Sequence, residues 1–171
     1  MKLEITGGDI TKLEVDAVVN AANSALSGGG GVDGAINRAA GPELVKASRK
    51  LGPISAGEAV ITDGFNLSAK YVIHAVGPVW RGGDSDERAL LASCYKRSLK
   101  LANEHDVNSI AFPAISCGVY RFPIDQAAKV AIDSVLEFCA ERECPARVIL
   151  VCFDSKVKRA YERYFGTLGG E

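Results

Sequence analysis

Apolar and polar positions along the chain switch repeatedly between two periods. Residues 2–6 alternate in the manner of a strand until Gly7, Gly8 and Asp9 break the run, and residues 16–20 (DAVVN) form a short buried strand. Further strands are predicted at 56–62, at 70–76 (KYVIHAV), at 108–113 (NSIAFP) and at 147–153 (RVILVCF). Between them the period lengthens to that of a helix. One helix is predicted over 32–40, and Gly41-Pro42 stops it and starts another through Leu51. In 85–105, Leu90, Leu91, Cys94, Tyr95, Ser98, Leu101 and Ala102 fall close to one face. Pro123 suits the first turn of a helix that lines up Ile124, Ala128, Ala131, Val135 and Cys139, and Asp154 caps a last helix ending near Phe165, with 167–171 a frayed tail. Strands alternating with helices predict an α/β fold. The expected form is a three-layer α/β/α sandwich with a mostly parallel mixed sheet, one domain over 1–171, and a ligand crevice at the carboxyl ends of the strands. The loops after Asn20, Pro113 and Phe153 should meet there.

The most informative stretch is 18–41, VVNAANSALSGGGGVDGAINRAAG. It reads as a strand, a loop of four consecutive glycines and a helix start with Asp33 in the first turn. Glycines let backbone N–H groups approach a ligand, and a helix N-terminus adds partial positive charge, so phosphate is the expected guest. The competing reading is a flexible surface loop with Asp33 merely well placed at a helix start. Ala21, Ala22, Ala25, Leu26 and Val32 flank the glycines and need burial, which favours the binding loop. Gly29, Gly31 and Gly34 satisfy G-x-G-x-x-G, but residues 21–27 intervene after the strand and no acidic residue closes a second strand at the expected distance, so the dinucleotide signature is weak. No Gly-Lys-Ser or Gly-Lys-Thr occurs, which excludes a P-loop.

Composition narrows the classes. With 20 Lys and Arg against 21 Asp and Glu in 171 residues, the net charge of -1 offers no basic funnel for nucleic acid. The five cysteines, Cys94, Cys117, Cys139, Cys144 and Cys152, include no C-x-x-C pair and sit mostly in apolar runs, which suits reduced core thiols better than disulfides or zinc. The first residues, MKLEITGGDIT, lack the apolar core of a signal peptide, and no apolar run is long enough to span a membrane, so a soluble cytoplasmic protein is expected.

Taken in order, GDIT (8–11), VDAVVNAAN (15–23), GGGGVDGAI (28–36), HAVGPVW (74–80), FPAIS (112–116) and GVY (118–120) resemble the macro domain family, in its MacroD-like branch. Each block alone is weak, but the ordered set is specific and covers nearly the whole chain. The resemblance implies a pocket for ADP-ribose. In it Asp9, as a buried carboxylate, accepts a hydrogen bond from the adenine amino group with Ile10 beside it. The glycine loop (Gly30, Gly31, Val32) and the second loop (Ser116, Cys117, Gly118, Val119) enclose the diphosphate through backbone N–H groups. Phe153 flanks the adenine, although a core phenylalanine is an equally good reading of that position.

Active members of the branch are hydrolases. They remove an acyl group from O-acetyl-ADP-ribose, or ADP-ribose from acidic side chains of ADP-ribosylated proteins. The resemblance then has Asn20 and Asn23 hold the distal ribose, Asp33 orient or deprotonate the attacking water and Tyr120 wall the ribose, with no cofactor or metal. Two positions depart from the branch. Asn37 stands where a histidine is usual, one turn after Asp33, and an amide cannot take a proton. Arg121 stands where glycine usually follows the aromatic; if that position needs a left-handed backbone the loop must shift, since arginine pays a cost there that glycine does not, and the alternative is an arginine that reaches a phosphate or an acidic partner. Two rival readings are a non-catalytic reader with the same pocket and a binder of RNA or poly-ADP-ribose. His74, mid-strand in an apolar run, reads as a core histidine, and Cys117 would be reactive only if a helix start lowered its pKa.

Overall fold

The computed structural model describes residues 1–169. Six strands, β1 (Lys2–Gly7), β2 (Ala17–Ala21), β3 (Ala59–Asp63), β4 (Tyr71–Ala75), β5 (Ser109–Pro113) and β6 (Arg147–Cys152), form one sheet in the order β1-β6-β5-β2-β4-β3. All pairings are parallel except that of β3 with β4, so the sheet is mixed as expected. Five helices cover it: α1 (Gly31–Ala40), α2 (Glu43–Arg49), α3 (Glu87–Glu104), α4 (Ile124–Glu141) and α5 (Ser155–Thr167).

The layers follow from the period of two along each strand. Val18, Val72, Ala111, Ile149 and Val151 face Ile36 and Ala40 of α1 and Leu44 of α2. Their neighbours Val19, Ile73, Ile110, Phe112 and Leu150 face the other way, against Leu91, Tyr95 and Leu99 of α3, Ile132 and Val135 of α4, and Tyr161 of α5. Both faces of the sheet are covered, which is the three-layer arrangement.

Several boundaries and one bond differ from expectation. Helix α3 begins at Glu87 rather than near 85, because Asp86 takes a left-handed φ of 61° and the Glu87 side chain draws the preceding loop onto itself. Strand β3 begins at Ala59, since residues 55–58 turn, with Gly57 at φ 88° donating its N–H to the Val76 carbonyl. Thr167, assigned to the tail, is the last residue of α5, and Gly170 and Glu171 lie outside the described residues. Cys139 and Cys144 form a disulfide, contrary to the expectation of reduced thiols. The chain doubles back after α4 and brings their Cα atoms within 5.3 Å. Cys94, Cys117 and Cys152 are free thiols.

Candidate functional site

The crevice has a topological cause. Strand β2 is followed by α1 on one face of the sheet, and β5 by α4 on the other, so the connections diverge between two adjacent strands. The pairing records the parting: β2 stays with β4 as far as Ala21, but its register with β5 ends at Val18 and Ala111. Beyond that point the loop leaving β2 and the loop leaving β5 stand apart at the carboxyl edge.

The first loop is shaped by Asn23 and Gly34. Asn23 Nδ2 donates to the Gly28 carbonyl at 2.9 Å, and its Oδ1 accepts from Ser27 N at 3.2 Å, folding the loop back on itself. A Cβ on Gly34 would sit 2.7 Å from the Gly29 carbonyl oxygen, so only glycine lets α1 approach the loop this closely. Gly30 caps α1 without a side chain, which leaves the first helical N–H groups without an intrahelical partner. A Cβ at Gly30 or Gly31 would meet nothing within 4 Å, so open space lies in front of them. Val32 is half-buried against the core beneath.

Asp33 lies behind this loop with 6% exposure. Its Oδ1 accepts from Asn20 Nδ2 at 2.9 Å and from Asn37 Nδ2 at 2.8 Å. Its Oδ2 lies toward Gly29, 3.4 Å from where a Cβ would be. Burial raises the Asp33 pKa, and the two amide donors only partly offset it. Asn20 is in turn held by His74, whose Nδ1 lies 3.4 Å from Asn20 Nδ2 while Nε2 lies 3.0 Å from Thr62 Oγ1. Thr62 gives its own hydroxyl proton to the Asp63 carbonyl, so His74 Nε2 carries the hydrogen and Nδ1 accepts. Burial pushes the His74 pKa down to about 4, and the ring is a neutral core histidine. The amides of Asn20 and Asn23 are thus largely engaged within the protein. The Asn20 Oδ1 is buried and without a partner among the described residues.

The second loop, 114–122, is built differently. Ser116 and Arg121 both have positive φ, 65° and 60°, without being glycine. The left-handed position after Tyr120 is therefore real, and arginine occupies it without displacing the loop. Three backbone bonds close the turn: Cys117 N to Ala114 O, Arg121 N to Gly118 O and Phe122 N to Ser116 O. The N–H groups of Gly118, Val119 and Tyr120 have no acceptor among the described residues, whereas that of Cys117 is used. The Ser116 hydroxyl points inward, donating to the Pro78 carbonyl at 2.8 Å. Burial pushes the Cys117 thiol up to about 12, so the lowered pKa that a reactive thiol would need is absent. Tyr120 is half-buried, and its carbonyl accepts from Trp80 N at 2.8 Å.

Asp9, Ile10 and Phe153 stand at the ends of β1 and β6, neighbours in the sheet. Asp9 is exposed, which corrects the expectation of a buried carboxylate. Its Oδ1 caps the short 3-10 turn Ile10–Lys12 through Thr11 N and Thr11 Oγ1, holding its pKa below the usual range. Ile10 is buried beneath it. Phe153 is 91% exposed, so it is no core residue, and Val119 is equally bare. Two large apolar side chains open to water at one edge mark a surface that another molecule can cover.

Residues 19–131 match the macro domain family. The chain belongs to that family. A macro domain-containing protein of Chlorobaculum tepidum is 56% identical over 155 residues, covering 91% of this chain and 90% of the relative. A protein of Citrobacter koseri named O-acetyl-ADP-ribose deacetylase is 50% identical over 174 residues, covering 99% and 98%. Among solved structures, an Oceanobacillus iheyensis macrodomain with ADP superposes with a TM-score of 0.93 at 42% identity, over 97% of this chain and 90% of that one. A Trypanosoma brucei macrodomain in complex with ADP-ribose gives 0.88 at 37% identity, over 96% and 69%.

In this macro domain the two loops part at the carboxyl edge of the sheet. A separate hollow of about 390 Å³ lies at the opposite, amino end of the sheet, among Lys50, Leu51, Phe65, Tyr71 and His105. Thr62 and Asp63 line it, but none of the site residues expected from the sequence does. No helix among the described residues is long and apolar enough to cross a membrane. Sequence reasoning missed the Thr62–His74–Asn20 chain, which depends on cross-strand neighbours, and the contact of Trp80 with the second loop. The only available signal was His74 itself, a histidine in the middle of an apolar strand.

Proposed function

We propose that this macro domain binds ADP-ribose in the crevice and hydrolyses an ester on its distal ribose, either the acetyl ester of O-acetyl-ADP-ribose or the link to an acidic side chain of an ADP-ribosylated protein. The observation that carries the proposal is the Asp33 carboxylate, with both amide donors on Oδ1 and Oδ2 turned toward the glycine loop. Such a group has one oxygen fixed and one available to a water. Its raised pKa makes it a stronger base than an exposed aspartate, and phosphates bound nearby would raise it further.

In the proposed reaction the diphosphate lies between the free N–H groups of the first turn of α1 and those of Gly118, Val119 and Tyr120, with Phe153 against the adenine and the Asp9 carboxylate near its amino group. Asp33 takes a proton from water, and the water oxygen attacks the ester carbonyl. The tetrahedral oxyanion collapses, breaking the bond to the ribose oxygen, which receives the proton. Backbone donors stabilise the oxyanion. Named relatives and ADP-ribose-bound neighbours support the ligand class.

Single-turnover hydrolysis of O-acetyl-ADP-ribose, run beside calorimetry with ADP-ribose, tests the reading. Replacing Asp33 by alanine should lower the rate by about 10² to 10⁴-fold, the usual contribution of a general base, while binding persists. A second reading, a reader without turnover, is favoured by Asn37, which donates to Asp33 and cannot carry a proton. Binding without turnover in the parent protein would select it.

A further inference from the structure

The buried carboxylate that the proposed reaction does not use is Glu87, 1% exposed in the first turn of α3. Besides its own backbone N–H it is served by the loop before the helix. Oε2 accepts from Arg81 N at 2.9 Å and Gly83 N at 2.8 Å, and Oε1 accepts from Ser85 N at 2.6 Å. Three backbone donors on one carboxylate fix the whole 81–85 loop, and charge-assisted bonds of this kind are the strong ones. Two of that loop's residues, Gly82 and Gly83, sit at φ 97°, a conformation that needs glycine.

The loop begins at Trp80, and Trp80 touches the second loop of the crevice in two ways. Its N–H donates to the Tyr120 carbonyl at 2.8 Å, and its ring packs against Phe122, tilted by 56°, with centroids 4.8 Å apart. The peptide before Trp80 is thus bound to Tyr120, and the next peptide, through Arg81 N, is bound to Glu87. Consecutive peptide planes join the carboxylate to the crevice. The indole is held from behind by the Arg88 guanidinium, 5.5 Å from the ring, and by Gly83, where a Cβ would come within 3.1 Å of the ring. One residue upstream of Val79, the Pro78 carbonyl accepts from the Ser116 hydroxyl.

The second loop needs such support. It contains two strained non-glycine residues, Ser116 and Arg121, and presents three unpaired N–H groups. Strained backbone persists only where its surroundings over-determine it. Donors aimed at an anion act fully only when held in place beforehand.

We propose that Glu87 is a positioning residue: by anchoring 81–85 it holds Trp80 as a brace that keeps the Gly118–Tyr120 donors arranged for a diphosphate. The ligand assignment rests on the function proposed above, whereas the brace itself does not. Trp80 is the single tryptophan of the chain, so its emission reports the brace directly.

The test uses the full chain with Glu87→Gln, whose amide must turn N–H groups toward at least one of the three backbone donors. Acrylamide quenching of Trp80, ADP-ribose calorimetry and thermal unfolding are measured together. The expected result is a more quenchable Trp80 and a tenfold or greater loss of ADP-ribose affinity. Ser93→Ala serves as a control, since it removes a hydrogen bond from the same helix to the Gly57 carbonyl. That variant should lose stability with no change in affinity. Trp80→Leu leaves the three Glu87 bonds in place and should lose affinity to a similar degree, which keeps the proposal testable if Glu87→Gln fails to fold. Unchanged Trp80 quenching in Glu87→Gln, or increased quenching with parental affinity, would overturn the positioning role. So would parental affinity in Trp80→Leu. If the parent protein binds no ADP-ribose, the functional reading falls, and the quenching result still decides whether Glu87 holds the brace.

Discussion

Asp33 and Glu87 are two buried carboxylates, each beside a glycine-bearing loop at the same edge of the sheet, and their surroundings push them in opposite directions. For Asp33, burial outweighs the donors from Asn20 and Asn37, and the pKa rises. For Glu87, burial also opposes the charge, but the backbone donors of Arg81, Gly83 and Ser85 more than offset it and bring the pKa down to about 2. The difference is the number and kind of donors: two amides crowded on one oxygen against three N–H groups shared over both. A carboxylate left short of donors is uncomfortable and basic. One that is fully served is inert and acts as a fastening. The loops differ in their outside support: the glycine loop, folded by Asn23, is tied to Ser48 and Ile54, whereas the second loop, closed by three bonds of its own, is tied to Pro78 and Trp80.

The sharpest break between the two loops should come from adding one methyl group to each. Gly34→Ala drives a Cβ to 2.7 Å from the Gly29 carbonyl, so the first loop must move, at about 1–3 kcal/mol by analogy with overpacked cores. Gly118→Ala meets nothing within 4 Å and should change stability by less than about 0.5 kcal/mol. Denaturant unfolding of the pair measures both. Next in size, Arg121→Gly should stabilise the protein by about 0.5–1 kcal/mol, the relief of a left-handed arginine less the extra freedom of glycine in the unfolded chain. A loss of stability would mean that the arginine side chain holds the loop by itself.

The smallest effect separates the carboxylates by pH. Glu87 has a lowered pKa, so its contribution is complete above about 4.5 and is lost as pH falls toward about 2. Asp33 has a raised pKa, so its contribution is present below the ordinary aspartate value of 3.8 and is lost as pH rises through the folded value. Asp33→Asn should therefore stabilise the protein near neutrality while removing turnover, and Glu87→Gln should destabilise it over the same range. Thermal unfolding between pH 3 and pH 8 would show the two variants diverging from the parent in opposite senses, and parallel curves would dissolve the contrast.

Much of this was legible in the chain. The period of two in DAVVN and RVILVCF and the helical period after Pro123 placed the strands and helices, because packing on both faces of a sheet leaves a direct trace in polarity. The strand, glycine loop and helix start were legible because four consecutive glycines interrupt both periods, and Asp33 lies in the first turn of α1 as expected. Cross-strand neighbours left no such trace. That His74 touches Asn20 depends on β4 lying against β2, a register no local pattern encodes. Asp9 looked like a buried base-reading group because the family motif says nothing of exposure. Cys139 and Cys144 looked like core thiols because the turn that joins them is irregular.

The pairing of β1 with β6, Lys2 against Arg147 through Gly7 against Cys152, also bears on the order in which the molecule is made. Within this chain β1 is made well before β6, its one sheet neighbour among the described residues, and contacts so distant in sequence form late. The glycine loop and the second loop can be in place while Gly8, Asp9 and Ile10 still await their support. A chain stalled or cut before residue 147 would carry the whole glycine loop and the Tyr120 loop, yet lack the wall that Asp9 and Phe153 complete.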